Sequence, residues 1–317
     1  MAEEALEDDD EIFVYMGGDQ EVPEHIRRAR IHISVKIVRA RAFQFRQNLI
    51  YVEFHDGIEI IEEWAFRGCV SLMSAIKLLG VKIIKKMAFV GCRSTDVEFD
   101  DKLKTIEEGA FIGCHSMKNI KIPYVRTVGR LVFANCSELT DVEFGEELRT
   151  LHEGAFINCS KLERITLPLK GGMIGDNVFE YCPKLTTIDL VGGIHQSVAS
   201  LHMESWRSKM NNEINSINQT LPTITLRKTE AIQQWMETVI NRLDHYKAEH
   251  HNLLKEATTL LELALWKANL DDYNGGEGER EGVRTTRGSR KRARKEICVT
   301  SGASIVIKNV LPFLALK

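Results

Sequence analysis

Phenylalanine returns at positions 43, 66, 89, 111, 133, 156 and 179, at intervals of 23, 23, 22, 22, 23 and 23 residues. Ala42, Ala65, Ala88, Ala110 and Ala155 precede five of them, and Val132 and Val178 the other two. A cysteine follows Phe66, Phe89, Phe111, Phe133, Phe156 and Phe179 after three residues (Cys69, Cys92, Cys114, Cys136, Cys159, Cys182), while Arg46 holds that place after Phe43. Apolar residues then fall three, six and eight positions beyond the cysteine, as in Cys136, Leu139, Val142, Phe144 and Cys159, Leu162, Ile165, Leu167. The last two alternate with polar residues, the period-two burial of a strand.

A period near 23 residues with one short strand per unit predicts a solenoid. A single unit cannot bury its apolar face. Stacking seven of them joins these faces into one core, with a phenylalanine ladder and a cysteine ladder running across strands about 4.8 Å apart. Units two and three lose step by one residue, in "VSLMSAIKL" and "RSTDVEF", which predicts a bulge or irregular strand at that point.

Units such as "LRTLHEGAFINCSKLERITLP" (148–168) resemble the BspA-like leucine-rich repeat family, whose pattern is "I..GAF..C..L..I.LP"; the resemblance spans residues 22–191. It implies a leucine-rich-repeat solenoid of α/β-type repeats with short parallel strands, without catalytic function and associated with protein binding or adhesion. The closing segments resemble those of protist-type intracellular members.

Beyond residue 191 the period stops, and residues 192–273 read as a polar, irregular connector followed by a long amphipathic helix from Thr229. Ile232, Met236, Val239, Leu243, Tyr246, His250, Leu253, Ala257, Leu260 and Ala264 recur every three or four positions. Thr229 suits the helix N-cap and Asn274-Gly275-Gly276 its end. This helix is expected to cap the open solenoid or to self-associate as a coiled coil. Residues 1–20 read as an acidic disordered tail, 21–191 as the solenoid, 274–296 as a basic disordered loop, and 297–317 as a short β segment packing back on the body.

Composition sharpens the two ends. The 317-residue chain is 44% hydrophobic and 27% charged with net charge -3, yet "MAEEALEDDDE" at the start carries only acidic charge and "RTTRGSRKRARK" from Arg284 only basic. No apolar run reaches the ~18 residues of a membrane helix, and the acidic start is unlike a signal peptide. A soluble intracellular protein, cytoplasmic or nuclear, is the expectation. Arg290, Lys291, Arg292, Arg294 and Lys295 have the Lys-Arg-x-Arg spacing that an import receptor reads.

No catalytic, cofactor-binding or metal-binding residue is assigned. The cysteines lie one repeat apart without a CxxC pair, which reads as buried reduced thiols and not zinc ligands; Cys298 stands outside the ladder. His152 in "HEGAF" lacks the second zincin histidine, "HYKAEH" at His245 has the wrong spacing, and "GGMIG" at Gly171 lacks a phosphate-loop context. The sequons at Asn135 and Asn158 fall in repeat turns, where asparagine serves the backbone; a third is at Asn218. Binding is expected on the outward strand positions: Tyr51, Glu53, Asp96, Glu98, Asn119, Lys121, Asp141, Glu143, Arg164, Thr166, Thr187 and Asp189, a mixed surface leaning acidic in the middle. The reading is a protein-interaction scaffold whose partner the sequence does not name. The second reading is a nuclear or nucleic-acid-associated factor using 284–295, although the outward face lacks a basic, aromatic-lined groove.

Overall fold

The computed structural model describes residues 12–201, 203–221 and 227–274, with the side chains of the last helix described to residue 269. These form two compact units. Of the described residues, the first holds 12–194 together with Ile214–Ile240, and the second holds His195–Glu213 and those from Asn241 to 274.

The first unit is a parallel-strand solenoid. Its longer strands are Ile12–Tyr15, Arg28–Ile31, Tyr51–Glu53, Ile76–Leu78, Val97–Phe99, Asn119–Ile122, Asp141–Phe144, Arg164–Pro168 and Thr187–Val191. They pair in parallel with sequence neighbours as three-, two- and four-stranded sheets. The ladder is interrupted on both sides of the Ile76–Leu78 and Val97–Phe99 pair, where units two and three lose step. A second ladder of two-residue strands, from Ile37–Val38 to Thr150–Leu151, forms a six-stranded parallel sheet.

Two features of this unit differ from the sequence reading. The solenoid begins within the segment read as tail: Ile12–Tyr15 pairs with Arg28–Ile31, and Tyr15 is fully buried against Phe43, ring centroids 5.2 Å apart. The repeats also hold no helix among the described residues. Each coil instead has left-handed residues two positions before and two after its phenylalanine, such as Leu131 (φ 56°) and Asn135 (φ 59°) around Phe133, or Gly154 (φ 63°) and Asn158 (φ 61°) around Phe156. A left-handed residue every four positions cannot propagate an α-helix.

The phenylalanine ladder is continuous. Rings from Phe43 to Phe179 stack at centroid distances of 4.9, 5.1, 5.2, 5.6, 5.2 and 6.0 Å. Backbone bonds hold the spacing: the amide of Phe66 donates to Ala88 at 2.7 Å and that of Phe133 to Ala155 at 2.8 Å. Each ladder thiol donates in the opposite direction, to the phenylalanine carbonyl of the preceding coil, from Cys69 to Phe43 at 3.0 Å through Cys182 to Phe156 at 3.1 Å. Alanine would leave that buried carbonyl one donor short. Arg46 fills the same office in the first unit, its Nε donating to the Val22 carbonyl at 2.8 Å.

Three helices follow: α1 (Ile194–Ala199), α2 (Glu204–Thr220) and α3 (Lys228–Asn274). The segment read as an irregular connector is therefore largely helical. Trp206, Met210, Ile214 and Ile217 form its buried stripe. Within the first unit, α2 and α3 close the last coil: Asn218 Oδ1 accepts the Ile188 amide at 2.8 Å and its Nδ2 donates to the Ile188 carbonyl at 3.2 Å. Thr229 takes a different part from the expected N-cap, since its Oγ1 accepts the Phe179 amide. Within the second unit, Trp206 stacks on Tyr246 at 5.1 Å. The apolar stripe of α3 is buried through Tyr246, whereas Leu253 and Leu260 are exposed.

Candidate interaction surface

Strand register converts the alternating pattern into two outward rows. One runs Ile12, Arg28, Tyr51, and after the break Asp96, Asn119, Asp141, Arg164, Thr187. The other runs Val14, Arg30, Glu53, then Lys77, Glu98, then Lys121, Glu143, Thr166, Asp189. All twelve residues singled out from the sequence lie in these rows, and none is buried.

The electrostatics differ from the acidic-leaning face expected. Arg28, Arg30 and Lys77 join the rows, and the second row alternates in sign from Arg30 to Glu143. Neighbouring coils pair these charges: Arg30–Glu53 at 2.6 Å, Lys77–Glu98 at 3.3 Å, Lys121–Glu143 at 3.0 Å, and Arg164–Asp189 at 2.5 Å. The three cations were missed for separable reasons. Arg28 and Arg30 belong to a coil that has no phenylalanine, and Lys77 follows the out-of-step residue of unit two. Exposed pairs of this kind contribute about 0–1 kcal/mol each. Their consequence is the pattern they present, with a charge reversal at each coil of the second row from Arg30 to Glu143.

Among the described residues the ladder thiols are held in their protonated form. Burial pushes the Cys69 and Cys136 thiols up to about 12, and raises Cys92, Cys114 and Cys159 well above the ordinary thiol value. Such thiols are poor nucleophiles and poor metal ligands. Among the described residues no group of three or more His, Cys, Asp or Glu is placed to hold a metal ion. Asn135 and Asn158 sit at left-handed turn positions, and Asn158 Nδ2 donates to Asn135 Oδ1 at 3.0 Å. No described helix is long and apolar enough to cross a membrane. The acidic segment 1–11, the basic residues Arg290, Lys291, Arg292, Arg294 and Lys295, Cys298 and the segment 297–317 lie outside the described residues.

Residues 24–95 and 82–209 match the family described as BspA type leucine rich repeat region, in six copies. A leucine-rich repeat protein from Bacteroides ovatus ATCC 8483 is 28% identical, with 51% of this chain and 48% of that chain covered and a TM-score of 0.39. The T. pallidum leucine rich repeat protein is 23% identical over 53% of this chain and 77% of its own, TM-score 0.37. A leucine rich cell surface protein from Faecalibacterium prausnitzii A2-165 is 22% identical over 55% and 62%, TM-score 0.36. The chain thus spans about half the length of the first of these, 48%. No curated protein matches the chain.

Proposed function

The chain belongs to the BspA-type leucine-rich repeat family, and from that premise we propose that it is a non-catalytic protein-interaction scaffold that docks partners on the outward rows of its longer strands. Solenoids of this class typically serve as protein-interaction or surface-adhesion scaffolds. The observation that carries the reading is the alternating row from Arg30 to Glu143. Charges that reverse at each coil repeat every two coils, roughly 10 Å. A partner with charges at the opposite phase gains complementarity at several points, and a uniformly charged polymer gains none. The row therefore favours a folded protein over nucleic acid.

The test is affinity capture with the intact chain and a face variant, Glu98→Lys with Glu143→Lys, each analysed by mass spectrometry. Proteins retained by the wild type and lost from the variant are expected. Identical retention by the two chains would remove the face from consideration.

A further inference from the structure

A second surface, on the edge where the cysteine turn leads into the longer strand, carries large apolar side chains that the core leaves out. Phe45 is 53% exposed, Ile50 38%, Val70 40% and Met73 58%. The Phe45 amide donates to the Arg67 carbonyl at 2.8 Å, and the Arg67 guanidinium lies 5.4 Å from the Phe45 ring centroid. Ile50 and Met73 hold equivalent positions seven residues after Phe43 and Phe66. The Ile50 amide donates to the Arg27 carbonyl at 2.8 Å, so Arg27, Ile50 and Met73 form one column. Val70 and Arg93 share another, four residues after Phe66 and Phe89. Apolar side chains thus share these coil positions with Arg27, Arg67 and Arg93.

That pattern is complementary to an acidic sequence with apolar residues interspersed, and residues 1–11, "MAEEALEDDDE", are such a sequence: seven acids, no base, and Met1, Ala2, Ala5 and Leu6. Their point of attachment suits the site. Ile12 is in register with Arg28, so the chain joins the solenoid level with Arg27, at the head of the column. Three coil steps from there span about 15 Å, whereas eleven extended residues reach about 36 Å. We propose that residues 1–11 dock in cis over the Phe45, Ile50, Val70 and Met73 patch, with carboxylates against Arg67 and Arg93 and Leu6 on the apolar side chains. An acidic, apolar-bearing segment of a partner protein would then have to displace this occupant, because covalent attachment gives it a high effective concentration.

Methionine oxidation by dilute peroxide tests this on the intact chain, with Met16, 53% exposed and outside the patch, as internal reference. At low salt Met73 should oxidise roughly fivefold more slowly than Met16, the ratio set by a docking equilibrium of about 1 kcal/mol. Protection should vanish in 1 M salt, a condition that needs no variant, and in the variant Glu7→Gln, Asp8→Asn, Asp9→Asn, Asp10→Asn. Equal oxidation of Met73 and Met16 in the wild type overturns the proposal. So does protection that neither salt nor the variant relieves. If Met73 is unprotected until a synthetic peptide of residues 1–11 is added, the surface accepts acidic segments only in trans, and docking in cis is overturned.

Discussion

Thr229 Oγ1 accepts the amide of Phe179 at 2.9 Å, in the place where each earlier phenylalanine amide donates to a carbonyl of the following coil. Its neighbour Lys228, 1% exposed, donates from Nζ to the carbonyls of Cys182 (2.8 Å), Pro183 (3.1 Å) and Leu185 (2.8 Å). Desolvation holds that amine below the ordinary lysine value. Two consecutive side chains thus supply acceptor and donors that an eighth phenylalanine coil would otherwise provide. Thr229→Val should cost about 1–2 kcal/mol in denaturant melts and Lys228→Met about 3 kcal/mol, while Thr229→Ser stays near wild type. Equal stability of the valine and serine variants would refute the capping role.

The ring ladder gives a second prediction. Phe133→Ala and Phe156→Ala should each destabilise by about 3–5 kcal/mol, since a ring between two stacked neighbours leaves a cavity that cannot collapse. Position alone suggests that Phe43, the first of the series, matters less. Tyr15 removes that distinction, because Phe43 is fully buried with an aromatic ring on either side. Phe43→Ala should therefore match the central variants, and a loss below half of theirs would count against Tyr15 as the terminal member.

Alkali should unfold the solenoid before it reaches the native thiols. Cys69, Cys92, Cys114, Cys136 and Cys159 all have raised values in the fold. The stability this represents is fully present below the unfolded thiol value of ~8.5 and is lost as pH rises towards the folded values. Each thiol then costs about 1.4 kcal/mol per pH unit in that window. Thiol reagents at pH 7 should leave the six ladder cysteines unlabelled until denaturant is added. Stability that is flat between pH 8 and pH 10 would contradict the buried column.

Backbone handedness can be isolated at Gly91, which has φ 75° and nothing within 4 Å of where a Cβ would stand. Gly91→Ala meets no steric obstacle, so its cost should be the left-handed penalty alone, about 1–2 kcal/mol, and Gly91→Asn should cost less. A neutral alanine variant would show that the turn tolerates another conformation.

What the chain disclosed in advance follows its periodicity. Phe66 to Phe179 and Cys69 to Cys182 were legible because identical surroundings select identical residues at fixed intervals, and the twelve outward positions followed by alternation. Single-copy features were not. Tyr15 occupies a core position in a coil without the Ala-Phe signature, and Arg46 replaces a thiol with a longer donor that reaches Val22. The stripe of Trp206, Met210, Ile214 and Ile217 sits among polar residues that disguise a helix as a connector. Thr229 looked like an N-cap because hydroxyls serve helix starts in general, yet its partner lies 50 residues away, beyond the reach of local pattern.

The opposed directions of the two donor series carry a consequence for how such a molecule changes length. At each phenylalanine from Phe43 to Phe156 the amide donates to the following coil and the carbonyl receives a thiol from that same following coil, so every interior coil is both lock and key. A whole unit of 22 or 23 residues could be spliced between any two others and would find its acceptors waiting, while Arg46 and Thr229 at the margins would register nothing new. The fold is in this sense a sentence with fixed opening and closing words and an extensible middle, open to growth and shrinkage by unequal recombination in steps of one coil.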